Sequence, residues 1–85
     1  MFYFYLLRSN KDLKFYLGST NDLKRRLNEH NIGKVFSTKL RKPFELIYYE
    51  AYKNEKDARM REHNLKLRAN ALNQLKRRLF NSINN

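Results

Sequence analysis

The sequence predicts an α+β fold: a small three-stranded antiparallel sheet packed against three helices, in the order β-β-α-β-α-α. Three observations lead there. Two aromatic-rich apolar runs, Phe2–Arg8 and Lys14–Gly18, stand either side of the turn-forming SNKD. A third such run, FELIYYEAY (Phe44–Tyr52), follows the one proline, Pro43. Between and after these runs, leucines recur at helical spacing.

Taken in order, FYFYLLR is apolar without alternation and reads as a strand buried on both faces. KFYLG reads as the return strand of a hairpin. Centring that hairpin on Asn10 and Lys11 puts Tyr5 opposite Tyr16, close enough to interact. The first helix is expected to be capped by Ser19 or Thr20, with Asp22 three residues after Ser19 as in a capping box. Gly33 is its expected terminator. Lys34 to Pro43 reads as a basic loop. Asn54 is the expected cap of the second helix, which carries Glu55 and Asp57 in its first turn, where acids suit the dipole, and runs to about Lys66. Leu72, Leu75, Leu79 and Ile83 mark a third helix, with the final SINN fraying. No repeat, linker or low-complexity stretch divides residues 1–85, so one domain is expected.

Composition narrows the partners. With 19 Lys+Arg against 8 Asp+Glu, the net charge is +11, which attracts polyanions. Nucleic acid leads, because a basic surface gains affinity by releasing counterions from phosphates. No apolar run approaches the roughly 20 residues that cross a bilayer, so no membrane partner is expected. The absence of cysteine excludes disulfides and thiolate metal sites. The N-terminal MFYFYLLRSN lacks a basic n-region and a small-residue cleavage site, so a cytoplasmic protein is expected.

Two charges fall on apolar helix faces. With about 100° per residue, Arg26 lies about 60° to one side of Leu23 and Leu27 about 40° to the other, with His30 between them. Arg26 and His30 are i, i+4 neighbours on the face that meets the sheet. In the second helix, Ala58, Glu62 and Leu65 share one stripe. An unpaired buried charge is costly. One resolution is an internal Arg26–Glu62 salt bridge. The other is a cleft open to a phosphate, which Arg26 would grip with its fork of donors.

YFYLL (Tyr3–Leu7), FYLGSTNDLKRRLNEHNIGK (Phe15–Lys34) and AYKNEKDARMREHNLK (Ala51–Lys66) together resemble the GIY-YIG nuclease superfamily. The nearest likeness is to small stand-alone members, which themselves resemble the nuclease module of the bacterial excision-repair incision subunit. The resemblance covers about residues 2–78. It rests on Y-x-G, an arginine eight residues after the glycine, a histidine four later, and a glutamate in a late helix followed by L-K. YFY stands where the family often has GIY, and YLG forms the second signature; both tyrosines are kept.

The resemblance implies a DNA endonuclease that hydrolyses a phosphodiester with a single metal ion, Mg²⁺ or alternatively Mn²⁺. Its catalytic set would be Tyr5, Tyr16, Arg26, His30 and Glu62, with Glu62 the metal ligand and a tyrosine assisting the attacking water. Tyr5 or Tyr16 could fill that last role. Lys34, Lys39, Arg41, Lys42 and Lys66 are the expected nucleic-acid contacts. The expected partner is DNA, branched and single-stranded forms included, together with a specificity partner protein. The competing reading is a non-catalytic basic nucleic-acid-binding module, or a nuclease subunit that depends on a partner.

Overall fold

In the computed structural model, which describes all 85 residues, the first strand is the centre of the molecule. β1 (Phe2–Ser9) pairs antiparallel with both β2 (Phe15–Thr20) and β3 (Phe44–Tyr52), giving the sheet order β2-β1-β3. The expected burial of this strand on both faces is what the structure shows. Phe4 and Leu6 join Leu17 on one face and meet Leu65 of α2 (Glu55–Leu67) and Leu75 of α3 (Ala69–Arg78). Tyr5 and Leu7 join Phe44 on the other face, under Leu23 and Leu27 of α1 (Leu23–Asn31). Each large side chain so buried contributes about 1.5–3 kcal/mol.

The hairpin register differs from the expected one. Tyr5 lies opposite Gly18 and Tyr16 opposite Leu7. The turn is longer than a two-residue connection. Ser9 and Lys14 close it through a backbone bond of 2.9 Å, and Leu13 adopts a left-handed φ of 62°. The buried Ser9 hydroxyl shapes this turn by accepting from the amides of Lys11 and Asp12. The resulting shift is even-numbered, so Tyr5 and Tyr16 stay on one face. They meet diagonally, with ring centroids 6.5 Å apart.

The helix ends follow local chemistry, with two departures. Asp22, not Ser19 or Thr20, caps α1 by accepting from the Arg25 amide at 3.0 Å. Thr20 supports that cap, its hydroxyl accepting from the Asp22 amide. Gly33, at φ 80°, terminates α1 as expected. Asn54 caps α2 through the Lys56 amide. The third helix stops at Arg78, and only a single turn, α4 (Phe80–Ile83), continues it. The C-terminal turn is held rather than frayed: Arg8 Nη1 donates to the Ile83 carbonyl at 2.5 Å.

Residues 32–43 form no regular element, yet they are fixed at several points. Asn31, at the end of α1, accepts from the Phe44 amide at 2.6 Å and donates to its carbonyl at 3.2 Å. Ser9 donates to the Arg41 carbonyl, and Lys11 Nζ to the Leu40 carbonyl. No helix is long and apolar enough to cross a membrane.

Candidate active site

Tyr5, on the central strand, points toward α1. It does so because position 18 of the adjacent strand is glycine: a Cβ there would stand 2.3 Å from the Tyr5 hydroxyl oxygen. Gly18 therefore serves close approach and not an unusual backbone angle, since its φ is ordinary.

The Tyr5 hydroxyl lies 2.9 Å from His30 Nε2, and His30 Nδ1 lies 2.8 Å from Thr38 Oγ1. The tautomer follows from the network. The Thr38 hydroxyl faces the Val35 carbonyl at 3.5 Å, so its oxygen accepts from His30 Nδ1–H. Nε2 is then a bare acceptor, and Tyr5 donates to it. His30 is fully buried and boxed by three rings, with centroids 5.8 Å away for Tyr5, 5.0 Å for Tyr16 and 5.6 Å for Phe44. Burial in that box, with Arg26 nearby, lowers its pKa to about 4. At neutral pH His30 is an uncharged imidazole.

Arg26 on α1 and Glu62 on α2 both bear on the electrostatics of the same phenol. Burial pushes the Tyr5 hydroxyl up to about 12; a hydrogen-bonding interaction with Arg26 opposes this, while the charges of Tyr16 and Glu62 reinforce it. The two charges do not pair with each other. Arg26 Nη1 bonds Glu29 on its own helix at 3.2 Å, and Glu62 Oε2 bonds Lys66 Nζ at 2.5 Å. The internal Arg26–Glu62 bridge is absent. Beside Arg26 a cavity of about 290 Å³ opens between α1 and α2, lined by Ser19, Arg25, Glu55, Ala58 and Arg59 among others.

The two tyrosines differ in access. Tyr5 is 2% exposed and occupied by His30. Tyr16 is half-buried, and its hydroxyl bonds no protein group. The one buried side-chain polar atom without a partner is Arg8 Nε, so the Tyr16 hydroxyl reaches solvent. Lys66 Nζ stands 5.9 Å from the centroid of the Tyr16 ring, bringing Glu62 and Lys66 to the second tyrosine.

A multidentate metal cage is absent, because nowhere do three His, Asp or Glu side chains gather suitably. What the site provides is one carboxylate. Glu62 Oε1 takes no hydrogen bond and is not among the buried unpartnered atoms, so it faces solvent. A hard, singly anchored oxygen donor suits a cation that keeps most of its waters, as Mg²⁺ does.

The expected nucleic-acid contacts divide. Lys34, Lys39 and Lys42 are exposed and form no ion pair. Lys66 is paired with Glu62 at the site itself. Arg41 is otherwise engaged: its guanidinium grips Asp12 at 2.8 and 3.4 Å and lies over the Phe44 ring, holding the loop to the hairpin. Its contacts are internal, which leaves the three lysines as the charges of this loop without an ion-pair partner. Sequence reasoning missed Thr38 and Asn31. Both act from aperiodic backbone or its edge, and nothing in hydrophobic spacing marks them. Glu29, the partner of Arg26, was missed as well, though its i, i+3 spacing is a signal that could have found it.

Residues 1–79 match the model of the family described as the GIY-YIG catalytic domain. Several curated proteins are also similar. A UPF0213 protein of Bacillus pumilus is 42% identical over 65 residues, covering 75% of this chain and 65% of the relative. The UPF0213 protein YazA of Bacillus subtilis is 40% identical, with the same coverage. A UPF0213 protein of Pediococcus pentosaceus is 43% identical over 68 residues, covering 79% of this chain and 70% of its own. The match thus spans just under two thirds of the two Bacillus proteins. No solved structure matches the chain.

Proposed function

This chain belongs to the GIY-YIG catalytic domain family, and from that premise we propose that it is a metal-dependent endonuclease hydrolysing phosphodiester bonds in DNA. One observation carries the reading: Arg26 lines the cavity between α1 and α2, and Glu62 stands with Lys66 beside Tyr16, yet the two opposite charges on separate helices do not pair with each other.

The roles follow from access and charge. Arg26 receives a phosphate and neutralises the charge that grows at phosphorus during attack. It is partly exposed and held by a single carboxylate of its own helix, so it reorients without breaking an interhelical bridge. Tyr16, whose hydroxyl reaches solvent, orients the attacking water. Tyr5 and His30 form the proton path. Tyr5 donates to His30 Nε2, so its oxygen can take a proton from water as its own passes to the imidazole. Arg26 helps keep His30 weakly basic; a phosphate on Arg26 offsets that charge and raises the basicity when substrate is present. Glu62 would hold Mg²⁺, with Mn²⁺ as substitute, which supplies Lewis-acid stabilisation of the phosphoryl and leaving oxygens. Lys66 must then release Glu62 and becomes available to a phosphate.

The test is cleavage of plasmid, branched and single-stranded DNA by the purified chain with Mg²⁺ or Mn²⁺, alongside Glu62→Ala and Arg26→Ala. Cleavage by the parent that falls at least about 100-fold in both variants is expected, given the cost of losing one transition-state charge partner. Equal activity in Glu62→Ala, or none on any substrate, would instead establish a basic binding module, which the charge of +11 favours on its own.

A further inference from the structure

The segment between α1 and β3 carries an exposed apolar tip that no part of the proposed chemistry uses. Phe36 is 84% exposed and Leu40 76%. Lys39 Nζ lies 4.9 Å from the centroid of the Phe36 ring, a cation–π distance, so an ammonium is held against this aromatic ring. From Asn31 to Pro43 there are four cationic residues and no acid. An aromatic face bordered by cations, in a segment with no acid of its own, complements a nucleotide: ring for base, ammonium for phosphate.

We propose that Phe36 is a stacking platform for an unpaired base, and that the chain therefore engages DNA at single-stranded or branch-point nucleotides in preference to intact duplex. In a duplex each base is already stacked on its neighbours, and its faces are closed to a protein ring. A base in a single strand or at a junction offers an open face. Lys34, Lys39 and Lys42 track the flanking phosphates.

The loop is fixed relative to the reactive centre. Thr38, two residues beyond Phe36, is buried and bonded to His30 Nδ1, while His30 Nε2 holds Tyr5. Arg41 and Asp12 pin the far side. A base stacked on Phe36 thus sits at a set distance from the Tyr5–His30 pair. This inference rests on the nuclease reading only for the use made of the site; stacking itself needs no cleavage.

The chain contains no tryptophan, so Phe36→Trp introduces a sole tryptophan fluorophore at the proposed platform. In EDTA, where no metal-dependent cleavage intervenes, a short single-stranded oligonucleotide should quench its emission strongly at saturation. A blunt duplex of equal length should quench it little. Phe36→Ala should weaken single-strand binding about ten-fold or more while changing duplex affinity less than about two-fold. Equal quenching by both forms, no quenching at saturation, or unchanged single-strand affinity in Phe36→Ala would overturn the proposal. So would an emission change that depends on protein concentration without DNA, which would assign this tip to self-association. If quenching follows the expected pattern but Mg²⁺ yields no cleavage, the nuclease reading fails and the stacking platform stands. If cleavage occurs without quenching, the platform fails and the nuclease stands.

Discussion

Tyr5 lies directly over Gly18, its hydroxyl oxygen 2.3 Å from where a side chain at position 18 would begin. The phenol and the bare backbone form one unit. Gly18→Ala must displace the ring, and with it the bond to His30. Overpacking of this kind costs about 1–3 kcal/mol. The expected outcome is a lower melting temperature together with loss of cleavage, read by thermal unfolding and plasmid nicking. An alanine variant with parental stability and activity would show that the ring can move aside.

His30 should make the fold sensitive to acid. Its folded-state pKa of about 4 lies below the usual 6.5. The unfolded chain therefore binds the proton more readily, and the stability contributed by the neutral imidazole is present above the unfolded value. It is lost as pH falls from about 6.5 toward 4, and the loss levels off below. The full shift corresponds to on the order of 3 kcal/mol. Denaturant unfolding between pH 7 and 4 should show this component in the parent and not in His30→Gln. The His30 ring proton, followed by NMR, should titrate near pH 4.

Lys66 already pairs with Glu62 and would compete with a cation for that carboxylate. Lys66→Gln should lower the half-saturating Mn²⁺ concentration severalfold, measured by water-proton relaxation, because the carboxylate no longer has a fixed ammonium beside it. DNA affinity should fall in the same variant. Glu62→Gln should abolish the relaxation signal at this site while leaving the fold intact.

The basic loop should separate by role. Single substitutions of Lys34, Lys39 or Lys42 by alanine should each reduce the salt slope of DNA binding by about one. Arg41→Ala and Asp12→Ala should both act mainly on stability, since the two residues form one ion pair. The carboxyl of Asp12 is held down to about 2 by that contact, so the pair persists through mildly acidic pH. Fluorescence anisotropy across a salt series, with melting curves, distinguishes the two kinds of residue.

How much of this was legible in sequence depends on whether a residue acts through periodicity. Phe4 and Tyr5 fall on opposite faces of a strand, and Leu65 and Leu75 on helical stripes, so the sheet and its covering helices could be read directly. Arg26 and Glu62 were visible as charges falling on the apolar faces of their helices. The hairpin register was not, because it turns on Ser9 accepting two amides and on Leu13 turning left-handed, neither of which spacing encodes. The early end of α3 was equally hidden: Leu79 continues the leucine pattern, while α4 is set by packing and by the Arg8–Ile83 contact. Thr38 was out of reach for a third reason. Its importance exists only once residues 32–43 fold back over the imidazole.

That fold-back has a consequence for redesign. Thr38 and Arg41 behave as two rivets set close together in the chain, one at the His30 imidazole and one in the hairpin. The tip from Lys34 to Ser37 is the replaceable part. Swapping those four residues between relatives should exchange substrate preference without retuning the imidazole, whereas inserting a single residue between the rivets would detune both ends at once.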